Sequence, residues 1–264
     1  MYHFIVCVKQ VPDTTEVKID PVTNTLVRAG VPSIVNPFDR SALEMALDLK
    51  EKVGDAKVTV ISMGPPQAKD VLKESLTLGA DEAVLVSGRE FGGADTLATS
   101  YTLAAALRKF PDADIIFCGK QAIDGDTAQV GPEIAEHMHL PQVTLAKHIE
   151  VDGKKVRVER ELEDENETVE ASMPVVVTVT NNDAKTRYGN IVRFLWANNE
   201  YEIPVLGAAD LDVDSKRLGL NGSPTKVNKI FSPEKEKRGT RVENMTSGEM
   251  ANTIFDVLSR GGLV

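Results

Sequence analysis

Short apolar runs alternate with amphipathic segments over residues 1–145. The apolar runs predict buried strands, and the segments between them, whose apolar residues recur every three or four positions, predict helices. The predicted strands are Phe4–Val8, Val58–Met63, Ala83–Val86 and Asp114–Cys118. The predicted helices are Asp39–Val53, Gln67–Leu78, Thr96–Lys109 and Gln129–His139, with Asp39 and Asp95 as the N-caps of the first and the third.

This alternation predicts an α/β fold, in which a mostly parallel sheet carries helices on both faces. Right-handed crossovers bring the carboxyl ends of parallel strands to one edge of the sheet. Ligands of such sheets bind along that edge, near the N-termini of helices. The loops that follow Val8, Met63 and Cys118 are therefore expected to meet at a ligand site.

The pattern changes after Leu140. Val156–Leu162 and Val169–Val179 read as strands, and the acidic stretch Glu163–Glu167 between them is typical of an exposed turn, so the two predict a β-hairpin.

Residues 181–242 are polar and weakly periodic. A long segment without structure is unusual inside a compact domain, so we expect an extended arm that buries its apolar residues on a partner; an irregular part of the same domain is the alternative. An amphipathic helix follows at Ser247–Ser259, with Thr246 and Glu249 spaced as a capping box. The expected organisation is an α/β domain over residues 1–180, followed by the arm and C-terminal helix over residues 181–264.

Composition narrows the possible functions. The net charge of −10 and the pI of about 5.0 argue against non-specific nucleic-acid binding, which needs clustered positive charge. No apolar run reaches the ~20 residues of a membrane span.

The two cysteines, Cys7 and Cys118, lack a CxxC partner, so neither a zinc site nor another metal site is expected. The N-terminus shows no targeting pattern, which leads us to expect a cytoplasmic protein.

The segment Gly119–Pro132, GKQAIDGDTAQVGP, joins a predicted strand to a predicted helix. Its glycines allow a ligand to approach the backbone closely, and loop N–H groups beside a helix N-terminus favour a phosphate. Asp124 and Asp126 would repel a phosphate directly, so we expect them to contact ribose hydroxyls or backbone donors, or to flank the site.

Two further segments are candidates for the same pocket. Gly92–Ser100 places Asp95, Thr96 and Thr99 near a helix N-terminus, where they either form a second pocket wall or simply cap the helix. Val35–Asp39 turns into a helix through Asn36-Pro37, and Asn36 either contacts a purine or ribose or has only a capping role.

None of the common catalytic motifs is present, including G-x-S-x-G, H-E-x-x-H and the P-loop. No catalytic residue is therefore assigned, and a cofactor that brings its own chemistry fits better.

Several segments together resemble the beta subunits of electron-transferring flavoproteins. They are VCVKQVPDT, NPFD, ISMGP, LGADEA, GKQAIDGDTAQVGPEIAE, VERELE and the pair Arg187-Tyr188, and they are collinear over almost the whole chain. The resemblance implies an adenine-nucleotide alpha-hydrolase-like fold. It also implies pairing with a larger alpha subunit, which carries an FAD that transfers electrons.

The resemblance implies a set of cofactor-binding residues, to which the candidate second pocket wall within Gly92–Ser100 adds a few more. They are Cys7, Asn36, Pro37, Phe38, Asp39, Met63, Ala94, Asp95, Thr96, Thr99, Gln121, Ala122, Ile123, Asp124, Gly125, Asp126, Thr127, Ala128, Gln129, Val130, Gly131 and Pro132. It also implies that Arg187, Tyr188 and Ile191 dock on a partner dehydrogenase and that Glu161 lies near the flavin of the alpha subunit.

Members of that family divide by the ligand of this pocket. Some hold a structural AMP, whereas electron-bifurcating members hold a second FAD that accepts hydride from NADH. The small residues Gly125, Ala128 and Val130 favour FAD, with electrons passing to ferredoxin or flavodoxin and to a flavin dehydrogenase of the acyl-CoA or lactate type. The alternatives are the AMP-holding subunit, a non-enzymatic adenine-nucleotide-binding regulator and an NADH–flavin reductase that acts alone.

Overall fold

The computed structural model describes residues 1–13, 32–180, 186–228, 241 and 243–264. The chain divides into two compact units, Met1–Asn228 and Lys229–Val264. The first unit therefore extends well past the boundary expected near residue 180. Parts of the predicted arm, at residues 181–185, 229–240 and 242, lie outside the described residues.

A large sheet forms the centre of the first unit. Its strands are β1 (Tyr2–Cys7), β4 (Ala56–Met63), β5 (Glu82–Val86), β6 (Ile115–Gly119), β7 (Gln142–Asp152), β8 (Lys155–Glu161), β9 (Asn166–Ser172), β10 (Val175–Val179) and β11 (Val205–Leu206); β2 (Gln10–Pro12) and β3 (Ser33–Val35) pair separately. The order in the sheet is β11-β5-β4-β1-β6-β10-β7-β8-β9, parallel as far as β7 and antiparallel from β7 to β9. The prediction of a mostly parallel α/β sheet is confirmed.

Helices cover both faces of this sheet. They are α1 (Pro37–Val53), α2 (Lys69–Leu78), α3 (Thr96–Leu107), α4 (Val130–Met138), α5 (Ile191–Asn199) and the short α6 (Gly219–Gly222). Successive strand residues point to opposite faces, so Phe4 packs in the cluster with α1 and α2 whereas Ile5 packs in the cluster with α3 and α4. Burial on both faces explains why the strands are apolar without alternation.

The start of α1 differs from the prediction. The helix begins at Pro37, where the fixed φ of proline suits the first helical position, and Asn36 occupies the N-cap position without a side-chain capping bond. Asp39 lies inside the first turn and is buried. Its carboxylate accepts hydrogen bonds from backbone N–H groups of other elements instead of capping its own helix. Asp95, by contrast, is the N-cap of α3 and accepts from Ala98 N–H, as predicted.

The predicted hairpin is only partly correct. The strand β8 pairs with β9, which ends at Ser172, so Val169–Val179 is not one strand. Pro174 has no N–H for a sheet ladder and separates β9 from β10. The strand β10 then enters the parallel sheet between β6 and β7, where all five of its residues are buried.

The predicted arm is structured over much of its length. The helix α5 packs against α2, and Arg193 donates hydrogen bonds to the carbonyls of Leu76 and Ala80. The strand β11 extends the sheet beside β5, and Ile203 is buried in the core. The alternative interpretation, an irregular part of the same domain, therefore describes residues 186–228 better, because these residues bury apolar surface within their own unit.

The second unit contains the helix α7 (Ser247–Arg260). The expected capping box is present, with Thr246 N–H donating to Glu249 Oε2 (2.8 Å). Apolar side chains remain exposed on this helix, including Ile254, Phe255 and Val257. In the described part of the chain, no helix is long and apolar enough to cross a membrane.

Candidate functional site

A large cleft opens at the carboxyl ends of β1, β4, β5 and β6, with a volume of about 1490 Å³. The loops after Cys7, Met63 and Gly119 meet there, as the alternation of strands and helices predicted. The loop after β5 and the residues Pro224 and Thr225 complete the walls. The cleft lies entirely within the first unit.

Most of the residues proposed to bind a cofactor line this cleft. They are Cys7, Asp39, Met63, Ala94, Asp95, Thr96, Thr99, Gln121, Ala122, Asp124, Gly125, Thr127, Ala128, Gln129, Val130 and Gly131. The others lie outside its lining, and they are Asn36, Pro37, Phe38, Ile123, Asp126 and Pro132. The structure thus brings the three predicted segments to one place and separates lining residues from supporting ones.

Asn36 is fully buried behind the loop Gly119–Pro132 and supports it. Its Nδ2 donates to the carbonyl of Gln121 (2.8 Å), and its Oδ1 accepts from the N–H of Ile123 (3.1 Å). The amide therefore satisfies one backbone acceptor and one backbone donor of the loop. A direct contact of Asn36 with a purine or ribose stays a prediction.

Replacing Asn36 by Ala should destabilise the chain by about 2 kcal/mol, because two backbone groups lose their partner in a buried environment. The midpoint of urea unfolding measures this change. Asn198→Ala is the matched control: Asn198 is exposed and donates only to Phe194 O on its own helix, so its removal should cost less than about 0.5 kcal/mol. Equal midpoints for the two variants would contradict the supporting role of Asn36.

Asp39 lies at the floor of the cleft. Its Oδ2 accepts from Lys9 N–H (2.8 Å) and its Oδ1 accepts from Gly119 N–H (3.1 Å), so the carboxyl joins the ends of β1 and β6. Burial, which penalises the charged form, outweighs these hydrogen bonds and raises the pKa of Asp39 from 3.8 to about 7. The floor of the cleft thus holds a carboxyl that changes charge near neutral pH.

This shift predicts a dependence of stability on pH. Between pH 4 and pH 7 the folded chain retains the Asp39 proton that the unfolded chain has lost, so this residue's contribution to the free energy of unfolding falls as the pH rises. In Asp39→Asn the contribution is absent. The stability of the variant relative to wild type should therefore increase by up to about 1.4 kcal/mol per pH unit over this range and then level off. Urea unfolding at several pH values measures the difference, and parallel profiles would contradict it.

The two acidic residues of the loop have partners within the protein. Asp124 Oδ1 accepts from Lys9 Nζ (2.6 Å), and Asp126 Oδ1 accepts from Gln121 Nε2 (2.8 Å). Asp126 and Ala128 have positive φ values of 50° and 54°, which turns the loop sharply before α4. The partners seen are side-chain donors, and the expected contacts of these carboxylates with ribose hydroxyls stay a prediction.

The opposite wall depends on a segment remote in sequence. Asp95 Oδ2 accepts from both N–H (3.1 Å) and Oγ1 (2.8 Å) of Thr225, and Ser223 Oγ accepts from Asp95 N–H (2.8 Å). The hydrogen bonds of Ala98 and Thr225 keep the pKa of Asp95 low against the opposing effect of burial. Asp95 is thereby fully engaged within the protein, and the Thr96 hydroxyl, which donates to Gln129 Oε1 (3.1 Å), links α3 to the glycine-rich loop.

Sequence reasoning missed several lining residues, above all the cations Lys9, Arg89 and Lys120. The guanidinium of Arg89 has no hydrogen-bond or ion-pair partner among the described residues. The rule that ligands bind at strand ends could have indicated Arg89, because it follows β5. Nothing local could have indicated Pro224 or Thr225.

The proposed docking residues occupy different environments. Arg187 is held by three carboxylates of α1, whereas Tyr188 is 98% exposed and Ile191 is 68% exposed. Glu161, at the end of β8, lies 3.7 Å from Lys147 Nζ. Arg187 therefore fixes the segment to the domain, and Tyr188 and Ile191 present exposed side chains.

The chemistry of the cleft favours binding. Its lining combines cations with two helix N-termini and glycine-containing loops, which can hold phosphate groups. Lys9 is paired there with Asp124, and carboxyl groups of Asp39, Asp95 and Glu133 also line the cleft. Among the described residues, no group of three or more His, Cys, Asp or Glu side chains could hold a metal ion.

Fold and cleft together define an α/β protein with a large cleft at the carboxyl edge of a parallel sheet. Residues 23–191 match the model of the electron transfer flavoprotein domain. The chain belongs to the electron transfer flavoprotein family, and within it to the beta subunits.

Three relatives illustrate the match. The electron transfer flavoprotein subunit beta of Clostridium acetobutylicum is 54% identical over 91% of this chain and 92% of its own length. The caffeyl-CoA reductase-Etf complex subunit CarD of Acetobacterium woodii is 44% identical over 99% and 100%, respectively. Protein FixA of Azotobacter vinelandii is 44% identical over 93% and 89%.

Proposed function

We propose that this chain is the beta subunit of an electron-bifurcating flavoprotein, and that its cleft holds FAD. When bound, FAD would supply the redox chemistry, namely acceptance of a hydride from NADH and separate transfer of its two electrons to ferredoxin or flavodoxin and to the FAD of the alpha subunit. A flavin dehydrogenase then receives electrons from the alpha subunit. The role of this chain is to bind and orient the cofactor and to exclude water from it.

The observation that carries the proposal is the size of the cleft. Its volume of about 1490 Å³ exceeds the ~300–1,000 Å³ typical of sites for a single small ligand. An AMP would occupy one part of the cleft, whereas a dinucleotide cofactor would extend from the loop Gly119–Pro132 to the wall at Ser87–Thr99. The similarity to CarD, named as a subunit of a caffeyl-CoA reductase-Etf complex, supports a role of this chain in a complex with a reductase.

The residues present suit a pyrophosphate. Arg89 and Lys120 line the cleft together with Lys9, whose ammonium is paired with Asp124, and the N-terminus of α4 reaches the cleft at Val130. Positive charge and N–H groups that converge on one volume stabilise phosphate oxygens. Asp39 at the floor bears less negative charge below pH 7 than an exposed aspartate would, because burial raises its pKa to about 7.

The cofactor content of the purified heterodimer tests the proposal. We expect two FAD and no AMP per heterodimer, measured by flavin absorbance and by nucleotide chromatography after acid release. One FAD with one AMP would overturn the FAD assignment and support the AMP-holding subunit. A monomer or self-dimer without flavin would instead favour the nucleotide-binding regulator.

We also propose that Tyr188 and Ile191 dock on the dehydrogenase, and that the exposed apolar side chains of α7 pack on the alpha subunit. The proximity of Glu161 to the flavin of that subunit belongs to the same proposal. Exposed apolar side chains in one short segment are typical of a contact surface. We propose a cytoplasmic location, as the sequence led us to expect.

Tyr188→Ser combined with Ile191→Ala should slow electron transfer to the dehydrogenase about tenfold or more, because aromatic and large apolar anchors dominate such contacts. The free energy of unfolding, measured with urea, should change by less than about 0.5 kcal/mol, since both side chains are exposed. Val227→Ala, at another exposed apolar position, is the control. Unchanged transfer with the double variant would refute docking through this segment.

A further inference from the structure

The two cysteines of the chain lie side by side in the floor of the cleft. Cys7 ends β1, and Cys118 is its partner in register on the neighbouring parallel strand β6. Both side chains belong to the same buried cluster, so they point to the same face of the sheet. Both also line the cleft, although each is 111 residues from the other in sequence (118 minus 7).

We propose that Cys7 and Cys118 are a dithiol–disulfide redox site in the cleft floor, which reacts with small disulfides and similar two-electron thiol oxidants when the cleft is empty.

The geometry suits a disulfide. Partners in register on neighbouring strands have Cα atoms about 4.8 Å apart, and disulfides span Cα separations of about 4.4–6.8 Å. The thiols already interact, because a hydrogen bond between Cys118 and Cys7, together with burial, raises the pKa of Cys118. Rotation about the side-chain bonds can therefore bring the sulfurs together without moving the strands.

The cleft gives access to both cysteines. Cys7 is 8% exposed and Cys118 is 5% exposed, and both face a space of about 1490 Å³ that admits a small reagent. Gly131 lies over Cys118, where a Cβ atom would be 3.8 Å from Sγ, so the backbone of α4 covers this thiol from one side. Any ligand that occupies the floor of the cleft would shield both sulfurs.

The reaction balances as follows. The Cys7 thiolate attacks one sulfur of a small disulfide RSSR, whose S–S bond breaks and whose other half leaves as RS⁻. Cys118 then loses its proton and attacks the Cys7 sulfur of the mixed disulfide, which expels the second RS⁻. Two protein thiols and one RSSR yield one protein disulfide and two RSH. Cys118 acts second because the hydrogen bond with Cys7 and burial raise the pKa of its thiol, which makes the Cys118 thiolate scarce.

Oxidation and ligand binding are expected to oppose each other. If an adenine nucleotide binds only where the floor is reduced, linkage requires that the disulfide weaken nucleotide affinity by the same factor by which the nucleotide disfavours the disulfide. This part of the inference rests on the proposed function, whereas formation of the disulfide itself does not.

The experiment uses the full chain, freed of bound nucleotide and treated with the thiol oxidant diamide. Non-reducing tryptic digestion should yield residues 1–9 linked to residues 110–120, with a mass two hydrogens below the sum of the two peptides. Reduction should restore both thiols to alkylation by a maleimide. Cys7→Ala and Cys118→Ala should each abolish the linked peptide.

Three results would overturn the site. In the first, both cysteines of the folded chain are still alkylated after diamide treatment. In the second, disulfides form only between two chains. In the third, the linked peptide forms only when the chain is oxidised in urea. With saturating AMP or FAD we expect disulfide formation to slow at least tenfold. Equal rates, with nucleotide binding shown in parallel by equilibrium dialysis, would overturn the shielding. A linked peptide in a chain that binds neither nucleotide would instead uphold the site and refute the proposed function.

Discussion

Gly119→Ala is expected to lower the free energy of unfolding by about 4 kcal/mol, which is the largest effect of any single substitution considered. A Cβ atom at this position would lie 2.3 Å from Asp39 Oδ1 and 2.7 Å from both Asp39 N and Phe38 C. Two of these neighbours belong to the backbone of α1 and cannot rotate away. Overpacking of this kind costs about 1–3 kcal/mol, and the displaced Asp39 also loses its hydrogen bond from Gly119 N–H.

Gly125→Ala in the same loop is the matched control. No heavy atom lies within 4 Å of the Cβ that it would introduce, so its unfolding free energy should stay within about 0.5 kcal/mol of wild type. Urea unfolding of the two variants under identical conditions measures the contrast. If Gly119→Ala unfolds at the wild-type midpoint, the close approach of β6 to α1 is wrong.

Arg187→Ala is expected to destabilise the chain by about 3 kcal/mol. Arg187 Nε donates to Glu44 Oε1, Nη2 to Asp48 Oδ1 and Nη1 to Glu51 Oε1, each at 2.7 Å. Glu44 is buried, so removal of the guanidinium leaves an uncompensated carboxylate, and breaking such a pair costs about 3–5 kcal/mol. We expect the lower end, because Asp48 and Glu51 reach solvent and contribute little.

Two variants separate charge from geometry at this position. Arg187→Lys should recover less than half of the loss, since an ammonium cannot form the same fork of hydrogen bonds. Arg187→Ala combined with Glu44→Gln should be less destabilised than the sum of the single variants, because the buried charge is gone. Arg241→Ala, which removes an exposed pair with Glu243, is the control and should have almost no effect. Additive single effects would argue against the buried pair.

The alternation of strands and helices was predictable because each element carries its own periodicity. The central parallel strands β1, β6 and β10 are largely apolar since both faces are covered, and helices such as α1 and α2 show one apolar side. Asp95 and the capping box at Thr246 were likewise recognisable from spacing within one helical turn.

The errors have one physical origin. The sequence pattern places Asp39 at the N-cap of its helix. In the structure, its carboxylate accepts from the N–H groups of Lys9 and Gly119, which are remote in sequence. The apolar pattern of Val169–Val179 continues across Pro174, and only the sheet order reveals that β10 has left the hairpin. Residues 186–228 are mostly polar, and the packing of α5 on α2 and of β11 beside β5 cannot be recognised from their local sequence pattern.

The sequence by itself determined the class of fold, the position of the ligand site at the strand ends and the family of the chain. These follow from local periodicity and from motifs of a few adjacent residues. Only the tertiary structure decided which residues line the cleft, which support it and which are exposed. Arg187 meets Glu44 across 143 positions, Thr225 meets Asp95 across 130, and Cys7 pairs with Cys118 through strand register. Such contacts leave no local pattern, because they depend on how distant segments pack together.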